Sequence, residues 1–323
     1  MIRTDAAVAE IRRRHKLTNL LHSALLLGGM ALLLALCGWV VAGGDGVFWA
    51  FAAGALSLLF SPRVSPRLVL GMFGARRLFY PEAPRLHEVT EAIARRAGLP
   101  VMPDLYYIPS PVLNAFTVGS REQPAIAVAD GLLRALTLRE LAGVLAHEVS
   151  HIRNNDLWVM GLADTMAGLT RFMALFGLVL LLLNLPLLLM EREPFPWLLV
   201  LLLTLAPAAG AMLQLALSRT REFDADLDAA HLTGDPGGVA SALDRIERLQ
   251  GRFWERVLFA GHRGHGGGPS LLRTHPDTRE RVRRLLELRT PPPVLPRLED
   301  LPIHVPFAQV HRRPRYRVSG YWY

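Results

Sequence analysis

The sequence predicts a mainly α-helical membrane protein, with four transmembrane helices carrying a cytoplasmic α+β part that is divided between two polar segments. Three observations carry that expectation. Apolar residues make up 51% of the 323 residues, with a mean hydropathy of +0.26, and they stand in blocks. That is the composition of a chain that meets lipid. Lys and Arg gather on one side of the blocks, which assigns that side to the cytoplasm. Between the second and third blocks, LAGVLAHEVSHIRNND (Leu141 to Asp156) sets two histidines and a glutamate into a helix-periodic run.

The first block, Leu20 to Ala42, has no formally charged side chain and is long enough to cross a bilayer core of about 30 Å at 1.5 Å per residue. The second, Val47 to Phe60, is shorter. It either borrows Gly46 and Ser61 to span where the bilayer thins, or it lies on the membrane or inside the protein. The third, Phe172 to Met190, and the fourth, Phe195 to Leu217, form a hairpin around EREP. Arg3, Arg12, Arg13, Arg14 and Lys16 precede the first block; Arg63, Arg67, Arg76 and Arg77 follow the second; Arg219 and Arg221 follow the fourth. Gly43 to Gly46 has no basic residue, and the link between the third and fourth blocks has only Arg192. Both termini are therefore expected in the cytoplasm. The expected organisation is a cytoplasmic N-terminal segment over 1–19, a transmembrane hairpin over 20–61 and a cytoplasmic part over 62–171. A second hairpin over 172–217, a second cytoplasmic part over 218–289 and an irregular basic tail over 290–323 follow.

The net charge of +8 and a pI near 10.4 fit basic cytoplasmic loops, and no nucleic-acid module accompanies them, so no nucleic-acid partner is expected. The lone Cys37 allows no disulfide within the chain. LALC ending at Cys37 is not a lipoprotein signal, because Leu36 stands where a small residue belongs. A cleaved signal peptide is disfavoured by the length of the first block and by the second block that follows at once.

In the first cytoplasmic part, LHEVTEAIARRAG reads as a helix, and LYYI (Leu105 to Ile108) and AIAVA (Ala125 to Ala129) as short strands. Thr137 with Glu140 three residues on is a capping box, which starts a helix at Leu138 that runs to about Arg153, with NND ending or bending it. The second part reads as helices, with Pro236 in the first turn of one and Pro276 near the start of the last. GHRGHGGGP (Gly261 to Pro269) reads as a loop. His262 and His265 within it are better explained by a solvated loop than by a second metal site.

On a helix, residues four apart share a face, so His147 and His151 can point at one ion, while Glu148 is turned by about 100° and can flank it. That is the place wanted for a general base acting on water activated by zinc. Two histidines leave the site incomplete. SRTREFDADLDAA supplies Glu222 and Asp226, again four apart, with Glu222 five residues past the fourth block. If Glu222 is the third ligand, Asp226 is placed to hold a histidine ring through its other nitrogen. A plain acidic face, with Asp224 and Asp228 equally available, is the other reading.

NAFTVG, AIAVADGLL, ELAGVLAHEVSHI, SRTREFDADLDAA and THPDTRERVRRL occur in the order seen in HtpX-type membrane zinc metalloproteases, and the chain resembles that family over roughly residues 15 to 290. The resemblance implies a zincin-like protease domain and one Zn2+ per chain held by His147, His151 and Glu222, with Glu148 as base. It also implies that Asn114 of NAF and His275 of THP hold the substrate backbone or the developing oxyanion. The implied substrates are misfolded or damaged membrane proteins, cut at the cytoplasmic face of the cell's inner membrane. The related CAAX prenyl endopeptidases carry about seven spans, against four expected here. A catalytically dead scaffold has no need to keep Glu148 and a complete ligand set. A zinc transporter should carry ligands near mid-membrane, where this chain has only His22, close to a span's end.

Overall fold

Capping and apolar periodicity place most of the helices. The computed structural model describes residues 2–60, 66–190, 197–258 and 278–288. In chain order the helices are α1 (Ile2–Phe60), α2 (Pro66–Met72), α3 (Pro84–Ala97), α4 (Asp130–Ala135), α5 (Leu138–Asn154), α6 (Asp156–Met190), α7 (Trp197–Thr233), α8 (Pro236–Leu258) and α9 (Thr278–Glu287). The strands are β1 (Arg76–Arg77), β2 (Asp104–Ile108), β3 (Ala115–Gly119) and β4 (Pro124–Ala129). Two units result: Met1–Pro62 with Trp158–Arg221, and Arg63–Leu157 with Glu222–Tyr323.

The first unit is helical. Within α1, Ala42 (φ −148°, ψ 29°) and Gly43 (φ 60°, ψ −144°) leave the helical region. The chain doubles back there. A Cβ on Gly46 would sit 2.0 Å from the Gly38 carbonyl oxygen, and one on Gly38 2.6 Å from that of Gly46. Along an unbroken helix the same eight residues would span about 12 Å. Gly43 supplies the left-handed residue of the turn, and the two bare glycines let the arms touch backbone to backbone.

Among the described residues, three stretches are long and apolar enough to cross a membrane: Leu20–Leu56, which contains the reversal, Asp156–Leu183 and Val200–Thr233. Leu25, Leu32, Trp39, Phe48, Leu175 and Leu183 face outward, a surface suited to lipid rather than water. The expected third span opens at Phe172, but α6 is helical and apolar from Asp156 onward, since Asp164 is the one charged residue between Leu157 and Thr170.

The second unit packs helices against a four-stranded sheet of order β1-β2-β4-β3, in which β2 and β4 are parallel and the other pairs antiparallel. The two expected strands are its centre. Every residue of β4 is buried, which is why its apolar run is legible. The two edge strands lack a sequence signal: β1 is two exposed residues, and β3 is half-buried without clean alternation. Gly119 (φ 97°) turns β3 into β4, and a Cβ there would strike the Gln123 carbonyl at 2.1 Å. On one face of the sheet Leu105, Tyr107, Ile126 and Val128 join the main core with residues of α3, α5 and α8. On the other, Val118, Ala125 and Ala127 join Leu70 of α2, with Phe73 and Phe116 packed against them.

α5 is the central helix of this unit. Thr137 Oγ1 accepts from the Glu140 amide at 3.3 Å, and the Glu140 carboxylate accepts from the Thr137 amide at 2.9 Å. Glu140 also accepts from Ser241 and pairs with Arg245, which ties the start of α5 to α8. Leu141, Leu145, Val149 and Ile152 are buried in the core, which turns His147 and His151 away from it, while Glu148, also buried, lies at the edge of the packed face towards β3. The Pro236 start of α8 stands as expected. His275, Pro276, the Gly261 to Pro269 loop and the tail from Thr290 lie outside the described residues.

Candidate metal centre

His147 and His151, one helical turn apart on α5, bring their Nε2 atoms to 3.1 Å from each other. The last part of α7 lies across them. Glu222 sets Oε2 3.5 Å from His147 Nε2 and Oε1 3.9 Å from His151 Nε2. Donor atoms of these three residues all lie within 4.8 Å of one another, the one such group of three among the described residues. In a tetrahedral zinc site with bonds near 2.1 Å, neighbouring donors stand about 3.4 Å apart. The two imidazole nitrogens, 3.1 Å apart, and the carboxylate, with one oxygen 3.5 Å and the other 3.9 Å from them, are spaced on that scale, and two imidazoles with one carboxylate are a donor set that zinc takes.

Each ring is held from behind. Asp156 accepts from His151 Nδ1 at 2.7 Å, and Asp226 Oδ1 stands 3.1 Å from His147 Nδ1, off the N–H direction. Both contacts leave Nε2 as the ligating nitrogen. Asp226 is where the i, i+4 spacing places it. Asp156 carries no periodic signal in the sequence. Asn155 ends α5 in the left-handed region (φ 57°), the one non-glycine residue with positive φ among those described, and that turn brings the next carboxylate back to His151. An asparagine just past a helix's last turn, followed by an acid, is the signal that could have found it.

Four acids of α7, Glu222, Asp224, Asp226 and Asp228, are all buried. Asp228 does not join the triangle; it accepts from Ser150 Oγ at 3.2 Å and Asn154 Nδ2 at 3.1 Å on the side of α5. Counter-charge comes from Arg281 of α9, only 6% exposed, whose guanidinium grips Asp226 with bonds of 2.6 and 2.7 Å and reaches Glu222 Oε2 at 3.1 Å. Burial alone would push the Asp226 carboxyl up, but Arg281 and then His147 bring it below the usual carboxylate range. Arg281 hides in the sequence among Arg279, Arg283 and Arg284. Arg283 pairs with half-buried Glu280 and exposed Glu287, and Arg284 covers the Phe223 ring as well as pairing with Glu280.

Glu148 stays outside the triangle and is nearly buried. Its Oε2 accepts from Thr117 Oγ1 of β3 at 2.7 Å. Asn114 lies just ahead of β3, where its carbonyl accepts from the Ala129 amide at 3.0 Å; its side chain is exposed and makes no hydrogen bond to the cluster.

Burial opposes protonation of His147, but Asp226 and Glu222 push its pKa up to about 10. Without an ion the ring therefore carries a proton at neutral pH, and an ion that takes His147 must release it. Apparent zinc affinity is expected to rise about tenfold per pH unit between pH 6 and 8, read by competition with a chromophoric chelator. An affinity flat across that window would show that no proton is displaced.

Residues 81–289 match Peptidase family M48. The protease HtpX homolog of Sulfurihydrogenibium sp. (strain YO3AOP1) is 35% identical over 287 residues, covering 84% of this chain and 97% of that protein. The homolog of Aquifex aeolicus (strain VF5) is 37% identical over 268 residues, covering 79% and 88%. In the crystal structure of S. mikatae Ste24p, 84% of this chain aligns with 66% of that chain, at 19% identity and a TM-score of 0.49. The matched residues 81–289 include His147, His151 and Glu222, and the chain belongs to peptidase family M48 as an HtpX-type membrane metalloendopeptidase.

Proposed function

We propose that the chain holds one Zn2+ on His147, His151 and Glu222, uses Glu148 as general base, and cuts misfolded or damaged membrane proteins as part of membrane protein quality control. The group of His147 Nε2, His151 Nε2 and the Glu222 carboxylate carries this reading, because the three donors gather within 4.8 Å of one another and the rings are faced by separate carboxylates. Bound there, zinc would polarise the scissile carbonyl and acidify water. Glu148 takes the proton of the attacking water and hands it to the leaving amine. Asp226 and Asp156 face the two rings, and Arg281 keeps Asp226 charged and pairs with both Asp226 and Glu222.

The substrate backbone has a natural seat. Among the described residues β3 is the last strand of the sheet, and the Ala129 amide bond to the Asn114 carbonyl fixes which of its residues bond β4. By alternation, Ala115 and Thr117 turn their backbone groups to the open edge. An extended peptide adds there as a further strand beside Glu148. Asn114, just ahead of β3, and His275 are assigned to hold the substrate backbone or the developing oxyanion.

The two arms of α1, with α6 and α7, form four spans with both termini in the cytoplasm and the site at the cytoplasmic face of the inner membrane. The reversal at Ala42 and Gly43 supports four crossings, and the basic flanks support the direction. The test uses the full chain in liposomes with an unfolded membrane protein as substrate. A chelator is expected to stop cleavage, and added zinc to restore it in the parent but not in Glu222→Gln. A Glu222→Gln protein that regains the parental rate and one zinc equivalent would remove Glu222 from the ligand set.

A further inference from the structure

The residue between the substrate edge and the general base is Thr117. Its hydroxyl proton has two acceptors within reach, Glu148 Oε2 at 2.7 Å and the Glu148 carbonyl at 3.3 Å. The shorter partner bears the charge and takes the bond. Thr117 and Glu148 are both buried, so water competes poorly for that carboxylate oxygen. In the strand, Thr117 pairs with Ile126 across β4 as a non-hydrogen-bonded pair, so its own N–H and carbonyl face the open edge while its side chain rises towards α5. Phe116 and Val118 turn to the opposite face, against the core that includes Leu70.

We propose that Thr117 is a positioning residue that couples peptide binding to base placement: its backbone sets the register of the substrate strand, and its hydroxyl fixes the Glu148 carboxylate relative to that strand. This rests on the assignment of Glu148 as base and of β3 as the substrate edge. One residue then locates both partners of the proton transfer, so a peptide seated on β3 finds the base already oriented. An alanine here would leave Glu148 Oε2 without this bond, and a valine would fill the same space without donating.

The experiment compares Thr117→Val and Thr117→Ser with the parent and with Glu148→Gln, each as the full chain in liposomes. It measures kcat and KM on a peptide substrate, with zinc content and thermal midpoint. Thr117→Val is expected to lose about 10- to 100-fold in kcat, the worth of one hydrogen bond to a charged group, with KM within about threefold and one zinc equivalent retained. Thr117→Ser, which keeps the donor, is expected to recover most of the lost kcat. Parental kcat in Thr117→Val would overturn the proposal. So would a Thr117→Ser protein as slow as Thr117→Val, since packing of the γ-methyl would then be the cause. If the parent does not cleave, or Glu148→Gln cleaves as fast as the parent, the assignment of the base itself fails, which is a separate outcome.

Discussion

Glu148→Gln is expected to retain one zinc per chain and to lose cleavage of an unfolded membrane protein by about 10³-fold, within the range that general bases contribute. The substitution keeps shape and length, and the glutamine oxygen can still accept from Thr117 Oγ1. What it removes is the capacity to take a proton. Glu148 lies outside the His147, His151 and Glu222 group, so the donors that would hold the ion are untouched. A loss carried by kcat with little change in KM is the expected form, because the carboxylate acts on the attacking water and not on the bound peptide. Unchanged proteolysis by the variant, measured as initial rate beside zinc content in one preparation, would sink the mechanism.

Arg281→Leu is expected to be the most damaging single change to the fold of the second unit. The guanidinium is buried, bonded by two nitrogens to Asp226 and close to Glu222. Removing it strands two neighbouring carboxylates out of water, at a cost of about 3–5 kcal/mol. At roughly 2–4 °C per kcal/mol for a domain of this size, the thermal midpoint should fall by about 10 °C. The direction with pH follows from the same contacts. Arg281 holds the Asp226 carboxyl below its ordinary value, so the stabilisation is full above the ordinary carboxylate range and is lost as pH falls through the lowered value. The deficit of Arg281→Leu relative to the parent should therefore shrink in acid. Arg281→Lys keeps the charge without the fork and should fall between the two. A midpoint within 2 °C of the parent at pH 7.5, by scanning calorimetry in detergent, would mean that the pair carries little of the fold's stability.

The parts of the centre legible beforehand are those fixed by helix period. His147, Glu148 and His151 follow from one turn of α5, and Glu222 with Asp226 from one turn of α7. Which acids of α7 face the histidines is a matter of packing: Asp228 has the same spacing rights as Asp226 but turns to Ser150 and Asn154. Asp156 depends on a single left-handed residue, Arg281 on which side of α9 is buried, and Thr117 on the register of a strand whose neighbour is four residues away. None of these is a periodic feature. The reversal inside α1 is likewise written in a contact, Gly38 on Gly46, that composition does not reveal.

The most direct measurement is zinc-edge X-ray absorption on the purified full chain. The account requires a first shell of nitrogen and oxygen at about 2.0–2.1 Å, with outer scattering from two imidazoles that falls to one in His151→Ala. A sulfur shell near 2.3 Å, or a parent spectrum without imidazole scattering, would contradict it.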